Sequence, residues 1–191
     1  NGTTRTQTWI FPSRQDCLTC HNANAGYVLG PRTHQLNCPQ SYPQTGVTDN
    51  QLRALGHLGL LGTNYSEAAL PSYLQSCSVT NTSFSLETRV RSYIDANCSQ
   101  CHRPGGAYAN FDARFTTPLD SQGLIYGAVN SFLNDNNDRV VVPGDLTHSL
   151  LYNRANRVDA YEMPPLAKNV VDTNATTTIA AWINSLAPGP G

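Results

Sequence analysis

Two five-residue segments constrain this chain more than anything else in it: Cys17-Leu18-Thr19-Cys20-His21 and Cys98-Ser99-Gln100-Cys101-His102. In a C-x-x-C-H pentad, two thiols one helical turn apart can add to the two vinyl groups of a haem, and the adjacent His reaches the iron from the same side. Thioredoxin-like chemistry also uses C-x-x-C, but it needs a βαβ setting, and no strand-rich pattern precedes either pentad. A tetrahedral zinc site built from both pairs is the more serious rival. Against it, 78 positions separate Cys20 from Cys98, and each pair is followed at once by His. The expectation is two covalently bound haem c groups, held by Cys17, Cys20, Cys98 and Cys101, with His21 and His102 as proximal ligands.

Two cysteines remain, Cys38 and Cys77. Proteins with attached haem mature in an oxidising compartment, so a Cys38–Cys77 disulfide is the default expectation, with free thiols as the alternative. Closing a loop of about 40 residues would stabilise the fold by roughly 4 kcal/mol.

The 191 residues allow one ordinary domain or two small ones. A formal net charge of -1 excludes a basic field for nucleic acid or an anionic membrane. No apolar run is long enough to span a bilayer, and the opening Asn1-Gly2-Thr3-Thr4-Arg5 lacks a signal-peptide core, so the chain reads as a mature, soluble product. Only 13% of residues are charged, against about 25% in an average soluble domain. The surface is therefore built largely from Asn, Thr, Ser and Gln, which leaves self-association into a homo-oligomer or filament open.

Ser13 predicts the cap of a short helix that runs through Asp16 into the first pentad. Residues 26–35 read as loop. Thr48-Asp49-Asn50-Gln51 reads as a capping box opening an amphipathic helix with Leu52, Leu55, Leu58 and Leu61 on one face, ending near Gly62. Residues 63–82 read as loop and linker. Ser85 predicts the cap of a helix with Leu86, Val90, Tyr93 and Ile94 on its apolar face, delivering the second pentad before Pro104-Gly105-Gly106 stops it. Further helices are expected over 121–133 and 146–153. Asp172 should cap a final helix bearing Ile179, Trp182, Ile183 and Leu186.

A six-coordinate haem takes a second axial ligand, usually Met or His. The chain has one methionine, Met163, in Tyr161-Glu162-Met163-Pro164-Pro165-Leu166, where the prolines stiffen the backbone and stop a helix. Residues 85–187 resemble class I c-type cytochromes: Tyr93 and Ile94 before the pentad, Val142-Pro143-Gly144-Asp145 and Ser149-Leu150-Leu151 in the middle, Met163-Pro164-Pro165-Leu166, then Trp182 and Ile183. The resemblance implies His102 and Met163 as axial ligands of the second haem, with two terminal helices packed across each other. Residues 8–80 resemble the first module of bacterial secreted dihaem cytochromes associated with dehydrogenase-like domains, through Phe11-Pro12-Ser13-Arg14, Ala25-Gly26-Tyr27-Val28-Leu29-Gly30-Pro31-Arg32-Thr33 and Asn50-Gln51-Leu52. By likeness to mitochondrial-type cytochromes, Gly30-Pro31 is expected to support the proximal His21 by a backbone hydrogen bond.

The implied fold is mainly α: two cytochrome c-like helical haem modules in tandem with long loops, over 1–82 and 83–191. For the distal side of the first haem, His57, 36 residues past His21, is the favoured ligand. His34, an open site, or a ligand from another molecule are the alternatives, and His148 is expected to decorate a surface helix. The function these readings imply is extracytoplasmic electron transfer, periplasmic or extracellular, with no catalytic residues, no nucleic acid and no membrane span. Redox partner proteins, among them a secreted dehydrogenase, would supply or take the electrons. The rival classes are a dihaem peroxidase with an open first haem and a polymerising extracellular cytochrome.

Overall fold

A computed structural model describes residues 4, 6, 8–9, 11–63, 65–106 and 110–188. The opening stretch 1–5, read for a signal sequence, lies almost wholly outside these. Among the described residues six α-helices are formed: α1 Arg14–Cys20, α2 Thr33–Leu36, α3 Gln51–His57, α4 Leu86–Cys98, α5 Leu150–Ala155 and α6 Thr173–Ser185. Strands β1 Pro39–Tyr42 and β2 Val47–Asn50 pair antiparallel, Pro39 opposite Asn50 and Tyr42 opposite Val47.

Four α-helices start where a side chain satisfies an orphan N–H of the first turn, α3 through Asn50, which accepts from the Leu52 N–H. The other acceptors are Ser13 for Asp16 N–H, Ser85 for Thr88 N–H and Asp172 for Ala175 N–H. Asp16 also returns its carboxylate to the Ser13 N–H, closing a capping box. One core cluster gathers Val90 and Ile94 of α4, Ile179, Trp182 and Ile183 of α6, and Phe111, Ala113, Leu124, Val140 and Val141 of the intervening loops. Among the described residues before position 83, the buried apolar side chains are Ala25, Leu52 and Leu70.

The mainly-α, two-module fold is overturned. Helix of all kinds takes 35% of the described residues, beside a two-stranded sheet. The region 121–133 is not a helix. After a 3-10 turn over Leu119–Ser121 it is irregular, turning at Gly123 and Tyr126 around a single β-bridge of Ile125 with Val141, with Tyr126 N–H donating to Val141 C=O at 2.8 Å and Val140 N–H to Gly127 C=O at 2.8 Å. At Gly127 a Cβ would collide with the Gly123 carbonyl, so the backbone there approaches more closely than a side chain permits. Residues 26–35 are not all loop, since α2 begins at Thr33. The helix expected to reach Gly62 ends at His57, leaving Leu58 and Leu60 exposed, and its cap is Asn50, the last residue of β2, whose side chain accepts from the Leu52 N–H, while Thr48 lies within the strand. The expected 146–153 helix is α5, which begins at Leu150.

The expected Cys38–Cys77 bridge is not formed, and all six cysteines are free thiols. The Cys38 thiol is directed to the Gln35 carbonyl at 3.6 Å, and Cys77 Sγ lies 3.8 Å from Ser92 Oγ on α4.

Buried hydrogen bonds cross the position 82/83 boundary. Asp95, on α4 with its side chain 1% exposed, accepts from Arg32 Nη1 and His34 Nε2, each at 2.9 Å, and from the Phe115 N–H at 2.9 Å. Arg32 also reaches Ser99 Oγ at 3.1 Å, and Cys77 N–H donates to Ser92 Oγ at 3.1 Å. The first part of the chain, poor in core of its own, is thus fastened to the second by polar groups removed from water.

Candidate functional site

The capping box at Ser13 sets α1 so that Cys17 and Cys20 fall on one short helix and His21 on its C-cap. His21 Nδ1 lies 2.7 Å from the Tyr27 carbonyl, a pure acceptor, so Nδ1 carries the proton and Nε2 keeps its lone pair for a metal. The chain reaches that position through Gly26 and Tyr27, both in the left-handed region at φ +77° and +60°. The expected support from Gly30-Pro31 is therefore provided by Tyr27 instead. Phe11, Leu18, Tyr27 and Val28, within or close to this pentad in sequence, are exposed large apolar side chains.

At the second pentad α4 ends at Cys98 and the chain continues as a turn, with His102 N–H donating to the Cys98 carbonyl at 2.9 Å. The His102 ring stacks on Phe111, with centroids 4.1 Å apart. Cys98, His102 and Met163 line one open cavity of about 270 Å³, walled by apolar side chains including Ile94, Val140, Leu150 and Ile179. A thioether donor, an imidazole and an attachment thiol facing the same apolar space is a donor set that fits haem. Gly106 packs over the Cys101 carbonyl so closely that a Cβ would collide with it, which is why a glycine follows Pro104-Gly105 here.

Burial pushes the Cys98 thiol up to about 12. Burial, followed by the neighbouring Cys20 thiol, pushes Cys101 up to about 11. Both thiols therefore hold their protons more tightly than an ordinary cysteine.

The fold brings the two pentads together. Cys101 Sγ lies 3.9 Å from the Thr19 carbonyl, Arg103 Nη1 donates to the Asn24 carbonyl at 2.8 Å, and the Asn24 amide donates to the Gly105 carbonyl. The four pentad thiols nevertheless do not converge at metal-ligand spacing. Among the described residues the one His/Cys/Asp/Glu group that does is Asp135, Asp138 and His148. There Asp138 already accepts the N–H groups of Leu133 and Asn134, at 2.7 and 2.9 Å, and serves the 133–138 turn.

The remaining histidines separate sharply. His34 is 6% exposed, bonded to Asp95 and stacked on Phe115 at 5.3 Å. His57 closes α3 with its side chain 69% exposed, 3.4 Å from Glu67, and no described contact joins it to the first pentad. His148 precedes α5, its Nδ1 2.6 Å from Asp145. Its pKa is raised, chiefly by that hydrogen bond.

No family model, no curated protein and no solved structure matches this chain. No described helix is long and apolar enough to cross a membrane.

Proposed function

We propose that this chain is a dihaem c-type cytochrome that relays single electrons outside the cytoplasm. The observation that carries this reading is the cavity at the second pentad, where Cys98, His102 and Met163 line one apolar space. Haem tethered at each pentad supplies one-electron chemistry. The chain's own part is orientation: Tyr27 fixes the tautomer of His21, and Phe111 holds the plane of His102. Thioether ligation at Met163 favours the reduced state, so electrons run from the first site to the second. The abutting pentads support a short path between the two.

His57 is the proposed distal ligand of the first haem. Of the two candidate imidazoles it is the solvent-exposed one, beside the exposed Glu67 carboxylate, whereas Nε2 of His34 is committed to Asp95. Low-temperature EPR of His57→Ala checks this: loss of the wild-type signal of the first haem is expected, and an unchanged signal removes His57. Redox partner proteins, including a secreted dehydrogenase, and a periplasmic or extracellular location follow from the same reading.

Mass spectrometry of the denatured protein tests the function itself. Two haem masses above the polypeptide are expected, with Cys17→Ala/Cys20→Ala and Cys98→Ala/Cys101→Ala each removing one. A polypeptide mass alone overturns the proposal.

A further inference from the structure

The segment that carries Met163 has no helix or strand of its own between Asn156 and Asp172, and Val158, Tyr161 and Val170 along it are exposed. It is gathered instead around one ammonium group. Lys168 Nζ donates to the carbonyls of Ala155 and Arg157, each at 2.7 Å, of Met163 at 3.2 Å and of Arg154 at 3.3 Å. Three protons are shared among four acceptors, all of them backbone oxygens. Arg154 and Ala155 close α5, where the last carbonyls lack an intrahelical donor and the helix dipole favours a cation. The same helix end receives the Met163 N–H, 3.0 Å from the Arg154 carbonyl. The backbone of Met163 is therefore tied on both sides of its Cα, through its N–H to α5 and through its C=O to Lys168.

We propose that Lys168 is the positioning residue of the second haem site, hanging the Met163 loop from the end of α5 so that the thioether stands at a fixed place in the cavity shared with Cys98 and His102. The assignment rests on the haem reading above. A lysine that merely capped α5 would affect stability. One that positions Met163 also controls how the thioether meets the iron.

Two readouts on the haem-loaded protein decide this. The first is the ring-current-shifted Met methyl resonance of the reduced protein, which reports thioether ligation. The second is amide hydrogen exchange at Met163. In the wild type the Met163 amide should be protected well beyond the exposed residues beside it. Lys168→Ala and Lys168→Gln should speed its exchange by about tenfold or more, broaden or abolish the methyl resonance and lower the midpoint potential of the second haem. Lys168→Arg, which keeps charge and donors, should restore all three.

A wild-type Met163 amide that exchanges as fast as its neighbours overturns the proposal without need of a variant. So do Lys168→Ala and Lys168→Gln proteins with wild-type resonance and potential. A wild-type chain carrying no haem mass overturns the dihaem reading and this assignment together, whereas a haem-loaded protein indifferent to position 168 overturns the assignment alone.

Discussion

Asp95 holds a carboxylate almost out of reach of water and meets a guanidinium, an imidazole and a backbone N–H there. Burial alone would raise its pKa. The hydrogen bonds from His34 and Phe115, with the charge of Arg32, outweigh burial and hold the group below its ordinary 3.8. A depressed carboxyl stabilises the fold above its unfolded value and loses that contribution as pH falls through the lower folded value. Asp95→Ala leaves Arg32 facing a vacated buried site and should reduce the unfolding free energy by about 3–5 kcal/mol near neutral pH, read from chemical denaturation. The gap between wild type and variant should close as pH drops below 3.8. A gap that stays constant on acidification would mean that charge at Asp95 is irrelevant.

At the scale of elements, α4 and α6 form the structural centre, and each is opened by one side-chain cap. Ser85→Ala and Asp172→Ala should each cost about 1 kcal/mol, while Trp182→Ala, emptying the largest fully buried side chain, should cost about 3–5 kcal/mol; thermal or denaturant unfolding measures all three.

These same helices were the legible part of the sequence, because a cap residue followed by apolar positions three and four apart has few other uses. The hairpin over 39–50 was not legible. Its strands are mostly exposed and carry no apolar alternation, so Thr48 reads as a helix cap when it is a strand residue. The run Leu124-Ile125 was ambiguous for another reason. A short apolar stretch suits helix and extended chain equally, and pairing with Val141 decided for the latter. At the site, thiols, imidazoles and the lone methionine announce themselves by type and spacing. The Tyr27 carbonyl and the four carbonyls around Lys168 could not, since a backbone acceptor leaves no mark in sequence.

At the scale of the whole molecule, hydrogen bonds cross the position 82/83 boundary. Arg32 and His34 satisfy Asp95, Arg89 donates to the Val79 carbonyl at 2.7 Å, and Asn24 meets Gly105 and Arg103. A protease site engineered into the exposed Asn81-Thr82-Ser83 turn should therefore be cut without separating the halves on size exclusion. Fragments that part on cleavage would show the crossing bonds to be weak.

Cys98 sits half-buried at the end of α4 with its proton firmly held, while Cys17 on α1 is open to solvent. On the haem reading proposed above, a protonated and partly covered sulfur is alkylated more slowly than an exposed one. On that reading the folded chain takes its porphyrin less readily at the second pentad than at the first. A chain first folded bare and then offered haem and reductant should be modified at Cys17 well before Cys98.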